Sequence, residues 1–249
     1  MDEISDILRS ISNKSSTRLE FWAQFINYVQ SARILEIGVW KGEFSAYVLA
    51  KCGSINDYHM LDPWRKLPSW NKPLNVDDST FEHAFREAMA NTEFAAEKRA
   101  VLRGTTVEMI DRVPNDSLDF VYIDGDHTLR GISIDLINSY SKLKPGGYLA
   151  GDDLSSTIWQ HGRQFEPTLV FPFAVYFAEA SGCRFFALPF SQFVMIKPEG
   201  GRRYSFTDFT GKYRDTELRK QLQSTRSVKE RLKYFVLKFM RRVGAAGLH

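Results

Sequence analysis

The sequence predicts an α/β fold with a doubly wound, mostly parallel seven-stranded sheet that ends in an antiparallel hairpin. Between residues 33 and 153, five apolar segments alternate with helical segments, and parallel strands need such helical crossovers. The apolar segments are almost continuous, as expected for strands that are buried on both faces. Two further apolar segments, at 183–188 and 193–196, are separated only by residues 189–192. So short a connection permits only a hairpin.

Each element follows from a local pattern. Short apolar runs closed by glycine, proline or polar residues predict strands at 33–38, 58–61, 100–102, 118–123, 148–150, 183–188 and 193–196. Apolar residues at helical spacing predict helices at 43–51, 80–96, 131–143 and 169–180, and a short helix that ends near Ile110. Lys144-Pro145-Gly146-Gly147 predicts a tight turn. Residues 62–80 and 154–166 are predicted to be long loops, which in compact domains are usually functional or disordered.

The sheet domain is predicted to have an appendage at each end. Residues 1–30 contain apolar residues at steps of three and four and are interpreted as N-terminal helices. Residues 31–200 form the domain with the sheet, and residues 201–249 form a C-terminal extension.

The composition excludes several classes of protein. A chain of 249 residues with 43% hydrophobic residues is long enough for a substantial core. No window reaches about 18 apolar residues, and the N-terminus lacks the basic and apolar regions of a signal peptide. A cytoplasmic location is therefore expected. Cys52 and Cys183 lie far apart in apolar surroundings and are predicted to be buried thiols.

The positive charge is concentrated near the C-terminus. Residues 224–249 carry seven Lys and Arg against the single acid Glu230, so the rest of the chain is slightly acidic. This distribution argues against a nucleic-acid partner. Apolar residues at steps of three and four predict a basic amphipathic helix, suited to peripheral contact with an anionic inner membrane surface. Packing on its own domain or on a second subunit, as in a homo-oligomer, is the alternative.

Ligands of open α/β sheets bind outside the carboxyl ends of the strands. Four of the five predicted strand ends carry polar side chains, in the order Asp62, Thr105 with Thr106, Asp124 with Asp126 and His127, and Asp152 with Asp153. A strand that ends in so many acids is either a turn with good helix-capping residues or the edge of a site.

The first strand end predicts a nucleoside site. Gly38 and Gly42 would let the backbone approach a ligand, and Asp62, 24 residues after Gly38, is placed to accept hydrogen bonds from a ribose diol. The alternative is that the glycines only serve a tight turn. Trp40 occupies the middle position of a G-x-G-x-x-G motif, which argues against a pyrophosphate cradle and against a nicotinamide oxidoreductase.

These motifs resemble a known family. Glu-x-Gly-x-x-x-Gly at 36–42, the acid that closes the second strand and the reversed last strand resemble class I S-adenosylmethionine-dependent methyltransferases, over residues 30–198. Within that class, Ile-Asp-Gly-Asp-His at 123–127 and Leu-Lys-Pro-Gly-Gly-Tyr-Leu-Ala-Gly-Asp-Asp at 143–153 resemble the metal-dependent O-methyltransferases related to macrocin O-methyltransferase and other sugar-methylating enzymes.

The resemblance implies a Rossmann-like methyltransferase fold and a set of roles. Asp124, Asp152 and Asp153 would bind a divalent cation, usually magnesium, and His127 would act as the base beside Asp124. Glu36 would order the glycine loop and the methionine amino group. Thr106 resembles a position that touches adenine, although capping a helix is equally compatible with its place. Three carboxylates at neighbouring strand ends would repel without a cation, and oxygen ligands suit Mg²⁺.

The expected function is methyl transfer from S-adenosylmethionine to a hydroxyl, with a sugar of a glycan, glycolipid or glycosylated metabolite as the acceptor. A small-molecule O-methyltransferase acting on natural products or catechols is the alternative within enzymes. A non-catalytic S-adenosylmethionine-binding protein is a further alternative, against which the intact acids and His127 argue. Leu129 stands where many relatives carry an aromatic residue, which leaves the acceptor open.

Overall fold

The computed structural model describes residues 3–201 and 203–213. The helices are α1 (Glu3–Lys14), α2 (Arg18–Val29), α3 (Glu43–Lys51), α4 (Asp78–Asn91), α5 (Thr106–Met109), α6 (Leu129–Lys142) and α7 (Val170–Ser181), with short 3₁₀ segments at Glu93–Ala95 and Ile110–Arg112. The strands are β1 (Arg33–Ile37), β2 (Asp57–Asp62), β3 (Arg99–Arg103), β4 (Leu118–Ile123), β5 (Leu143–Gly151), β6 (Arg184–Leu188), β7 (Gln192–Ile196) and β8 (Ser205–Asp208).

The strands form one sheet in the order β3-β2-β1-β4-β5-β7-β6-β8. Strands β1 to β5 pair in parallel, and β7 is antiparallel to both β5 and β6. The predicted doubly wound α/β fold with its terminal hairpin is thus confirmed. Strands β2 and β3 lie on one side of β1, and β4 and β5 lie on the other, so the order of the strands changes direction between β1 and β4. A crevice opens at the carboxyl ends of the strands at such a switch point.

Two details of the prediction are wrong. The described sheet has eight strands instead of seven, because β8 pairs in parallel with β6. Only Phe206 is apolar in β8, so its sequence carries no strand signal, and the open edge of β6 selects it. The predicted tight turn at 144–147 belongs to β5 and is bonded to Lys197 beyond β7. A register shift opposite Leu118 and Phe120 accommodates it.

The sheet is covered by a hydrophobic core on each face. One core includes α2, with the fully buried Trp22 in edge contact with Phe120 and Tyr122 at centroid distances of 5.5 and 5.7 Å. The other core includes buried residues of α6 and α7. Helix α2 is therefore built into the core, and the position of its first residue is set by the sheet.

Cys52 and Cys183 are both buried and free, as predicted. Among the described helices, none is long and apolar enough to cross a membrane. The basic amphipathic helix predicted within 224–249 lies outside the described residues. Its membrane contact, its alternative packing on protein and the homo-oligomer therefore stay predictions.

Candidate active site at the carboxyl edge of the sheet

A cavity of about 680 Å³ lies at the carboxyl ends of the central strands. Its lining includes the end of β1 and the residues after it (36–41), the end of β2 (61–63), the start of α5 (105–107) and the turn after β4 (124–127). Asp152 and Asp153 after β5 complete this edge, and residues 67–70 and 72–74 of the first long loop also line the cavity. All the predicted site residues line this one cavity except Gly42.

Gly38 is required by the packing of the strand ends. Its φ is +86°, and a Cβ atom there would lie 2.1 Å from the backbone oxygen of Asp124. The close approach of β1 to the turn after β4 therefore excludes every other residue. Gly42, with φ +75°, begins α3, and its Cβ would lie 3.1 Å from Cα of Ala88. Gly42 thus serves the turn and the packing of two helices.

Asp62 organises the turn after β1. Its Oδ2 accepts hydrogen bonds from the backbone N–H groups of Val39 and Trp40, both at 2.9 Å, and its Oδ1 accepts one from Trp64 at 2.7 Å. Burial raises the pKa of Asp62 against the lowering effect of these bonds. Asp62 lines the cavity, and its predicted contact with a ribose stays a prediction.

Glu36 is fully buried beneath the cavity. Its Oε2 accepts hydrogen bonds from the Ser45 hydroxyl and from the Tyr58 hydroxyl, the latter at 2.8 Å. Burial raises the pKa of Glu36 to about 8 despite these bonds. Its carboxyl group is therefore largely neutral at pH 7, able to donate as well as accept a hydrogen bond.

The helix caps at this edge are Thr105 and Thr128, and not Thr106 or Asp126. Thr105 is the N-cap of α5 in a capping box with Glu108, whereas the Thr106 hydroxyl donates to Asp135 Oδ1 at 2.5 Å. Thr128 is the N-cap of α6, and its own N–H donates to Asp126 Oδ1 at 2.9 Å.

Asp135 is a site residue that the sequence analysis missed. It lies on α6, is 5% exposed and lines the cavity beside Thr106. Burial raises the pKa of Asp135 to about 7. An acid in the middle of a helix usually marks the solvated face, so the sequence carried no signal that this one points at the sheet.

Asp124, Asp152 and Asp153 do converge, as predicted, but cations of the protein lie between them. Arg18 Nη1 is 2.7 Å from Asp124 Oδ2 and also contacts Asp152 Oδ2. His127 Nδ1 contacts Asp153 Oδ2, and its Nε2 is 3.5 Å from Asp124 Oδ1. The cluster thus contains three carboxylates, one guanidinium and one imidazole.

His127 is held by Asp153 in a defined orientation. Burial disfavours the charged imidazole, but the neighbouring carboxylates of Asp124 and Asp153 outweigh it and raise the pKa of His127 to about 10. Its buried Nε2 atom has no hydrogen-bond partner. Asp153 has φ +57°, a left-handed conformation that Asp tolerates better than most residues. The imidazole therefore has Nδ1 paired with Asp153, while Nε2 makes no hydrogen bond and lies 3.5 Å from Asp124 Oδ1.

Gln192 extends the cluster into the core. Its Nε2 donates to Asp152 Oδ1 at 2.5 Å, and its Oε1 accepts from Trp22 Nε1 at 2.7 Å and from the Tyr122 hydroxyl at 2.8 Å. Gln192 is fully buried. Because a buried amide must have its hydrogen bonds satisfied, this network fixes the orientation of Asp152.

The arrangement does not fit a divalent cation. Five of the six oxygens of the three carboxylates contact a donor of Arg18, His127, Gln160 or Gln192, and the sixth, Asp124 Oδ1, lies 3.5 Å from His127 Nε2 without a hydrogen bond. In the part of the chain that the structure describes, no group of three or more His, Cys, Asp or Glu is placed to hold a metal ion. A Mg²⁺ ion at this position would have to displace the guanidinium of Arg18 and the imidazole of His127.

Arg18 and Lys72 are further residues that the sequence analysis missed. Arg18 lies 106 residues before Asp124, in a segment that reads as a leading helix. Lys72 lies in the first long loop, is 6% exposed, and donates from Nζ to the Thr168 hydroxyl at 3.0 Å. Neither position shows a motif, because only the folded chain brings them to the cavity.

Comparison with known proteins agrees with this architecture. Residues 35–154 match a family described as "Methyltransferase domain". No curated protein matches the chain at a significant level. The chain is similar in fold to an O-methyltransferase from Bacillus cereus solved in complex with SAH, with 17% identity, 79% of this chain and 90% of that chain covered, and a TM-score of 0.54.

Two further solved structures are similar. The O-methyltransferase TomG from Streptomyces achromogenes, involved in tomaymycin synthesis and solved with SAM, shares 13% identity over 80% of this chain and 91% of that chain, with a TM-score of 0.52. The O-methyltransferase NovP shares 15% identity over 76% and 80%, with a TM-score of 0.52. Residues 35–154 of this chain therefore match a methyltransferase domain, and the chain shares the α/β fold of these O-methyltransferases.

Proposed function

We propose that the chain transfers the methyl group of S-adenosylmethionine to a hydroxyl of a sugar-bearing acceptor. The observation that carries the proposal is the pair of His127 and Asp153 at the cavity. The Nδ1 atom is paired with the carboxylate, and the buried Nε2 lacks a hydrogen-bond partner. An imidazole oriented in this way by an acid can receive a proton from a bound hydroxyl.

The donor site is proposed along the β1 and β2 ends of the same cavity. Glu36, Gly38, Asp62 and Thr106 all line it, and together they offer groups for the amino acid, ribose and adenine parts of the donor. Two of the structurally similar O-methyltransferases were solved with SAH or SAM, which supports this choice of donor. Gly42 is observed in the turn before α3 and does not line the cavity, so its contact with the cofactor stays a prediction.

The reaction needs an acceptor oxygen, a methyl group and a sink for one proton. S-adenosylmethionine supplies, when bound, a methyl group on a positively charged sulfur. On transfer, the acceptor oxygen would form the new bond to the methyl carbon as sulfur keeps the electron pair of the broken carbon–sulfur bond, and His127 Nε2 would receive the hydroxyl proton. The positive sulfur of the bound donor would lower the pKa of the nearby imidazole and so favour the neutral base.

The loops above the cavity support a sugar acceptor. Trp70 lines the cavity, and its buried indole N–H has no hydrogen-bond partner. Lys72 and Arg130 line the same region. An aromatic face with polar groups around it suits the apolar and hydroxyl faces of a sugar ring. The metal dependence predicted from the sequence is not part of this proposal, because the carboxylates are already paired with protein donors.

The test is methyl transfer by the purified full-length chain. The chain is incubated with S-adenosylmethionine and with matched panels of glycosides and catechols, and methylated products and S-adenosylhomocysteine are measured by mass spectrometry. We expect a methyl ether on a sugar hydroxyl. Products from catechols alone would favour the small-molecule alternative. Calorimetry that detects NAD binding but no S-adenosylmethionine binding would contradict the proposed donor.

A further inference from the structure

A single guanidinium nitrogen joins two carboxylates from different strands. Arg18 Nη1 contacts Asp152 Oδ2, lies 2.7 Å from Asp124 Oδ2, and donates to the Tyr122 hydroxyl at 3.3 Å. Asp124 follows β4 and Asp152 follows β5, and these strands are neighbours. Arg18 therefore lies where one positive charge reduces the repulsion between the two carboxylates.

Helix α2 holds Arg18 at this place. Arg18 is the first residue of α2, whose N-cap Thr17 accepts from the N–H of Glu20, while Glu20 in turn accepts from the N–H of Ser16 at 2.7 Å. Trp22, one turn later on the same face, donates to the buried Gln192, which binds Asp152. Two residues of one helix face are thus tied to the same carboxylate, so Arg18 is a built-in part of the cluster.

The charges of the cluster leave little need for another cation. Three carboxylates face the guanidinium of Arg18 and the imidazole of His127. A divalent ion between Asp124 and Asp152 would lie beside the guanidinium, and like charges at such distances repel. Binding such an ion would require Arg18 to leave both carboxylates.

We propose that Arg18 takes the place of a divalent cation in this cluster, so that the chain needs no metal ion for the reaction. Arg18 acts as a positioning residue, because it holds Asp124 beside His127 by its charge and its hydrogen bonds. The proposal rests on the proposed methyl transfer only for its activity readout. Its central consequence is that the native chain binds Mg²⁺ weakly, and that removing the guanidinium creates a metal site.

Direct metal binding tests this consequence without any acceptor. Calorimetric titrations with Mg²⁺ and Mn²⁺ are carried out on the full chain, on Arg18→Gln and on Arg18→Lys. Because Arg18→Gln leaves the Asp124 and Asp152 carboxylates without their cation, we expect it to bind at least about tenfold more tightly than the native chain, which corresponds to about 1.4 kcal/mol. Arg18→Lys keeps the charge and should not gain affinity.

A matched control lies outside the cavity. Arg65 pairs with Glu108 at 2.7 Å on the surface, and Arg65→Gln should leave metal binding unchanged. In the Arg18→Gln background, a further Asp152→Asn change should remove the gained affinity. The same proteins are assayed for methyl transfer with and without a chelator, and the native activity should stay within about twofold.

Several results would overturn the proposal. Tight binding of Mg²⁺ by the native chain, or loss of its activity on chelation with recovery on adding metal, would show that Arg18 leaves the carboxylates to an ion. Equal affinities of the native and Arg18→Gln chains would show that removing the guanidinium creates no metal site, which contradicts the central consequence. If Arg18→Gln does not fold, the titration and chelation of the native chain still decide. An inactive chain that binds no S-adenosylmethionine would refute the proposed function alone, since metal binding is measured separately.

Discussion

The buried carboxyl group of Glu36 gives a quantitative prediction about the pH dependence of stability. Glu36 is 1% exposed, and burial raises its pKa to about 8 in the folded chain, from 4.5 as the ordinary value. Below about pH 4.5 the group is protonated in both the folded and the unfolded chain. Between these pH values only the unfolded chain ionises, so the free energy of unfolding falls as the pH rises, by about 1.4 kcal/mol per pH unit.

The substitution Glu36→Gln removes this titration and keeps an oxygen that can accept from the Ser45 and Tyr58 hydroxyls. From pH 5 to pH 7, the native chain should lose about 2–3 kcal/mol of stability relative to the variant. Relative to the variant, the free energy of unfolding of the native chain is highest below about pH 4.5 and stops falling above about pH 8.

Urea denaturation of both proteins at pH 5, 6, 7 and 8 measures the difference. With a slope of roughly 2–3 kcal/mol/M for the denaturant dependence, the relative shift in midpoint from pH 5 to pH 7 is about 1 M. Other groups that titrate in this range contribute equally to both proteins and cancel in the difference. A difference that stays constant from pH 5 to pH 8 would show that Glu36 is ionised in the folded chain, and the argument from burial would be refuted.

Three further predictions follow from the site. His127→Ala should leave S-adenosylmethionine affinity in calorimetry nearly unchanged and lower kcat by roughly 10²–10⁴-fold, the usual size of general-base catalysis; full activity would exclude the base role. Gly38→Ala should lower the free energy of unfolding by more than about 2 kcal/mol, because its Cβ would clash with the Asp124 backbone. In the same thermal denaturation, Gly53→Ala, with no atom within 4 Å of the new Cβ, is the control and should change little. Gln192→Leu should cost about 2–4 kcal/mol in urea denaturation, because it leaves buried donors unpaired; an unchanged midpoint would contradict the network.

The alternation of apolar strands and helices was enough to predict the sheet, because strand burial and helix periodicity are visible within short segments of the sequence. Asp124, Asp152 and Asp153 could be placed at one edge for the same reason, since parallel strands end on the same side. The eighth strand could not be predicted, because Ser205–Asp208 becomes a strand only by pairing with β6.

The chemistry of that edge depends on residues that are distant in the sequence. Three converging carboxylates indicate a need for positive charge, and the sequence pattern is equally consistent with a metal ion or with a basic side chain as its source. Helix α2 brings Arg18 to Asp124 across 106 positions of the chain, through the packing of Trp22 against the sheet. Because charge acts through space and not along the chain, the cation that neutralises Asp124 and Asp152 is identified only once α2 is packed in place.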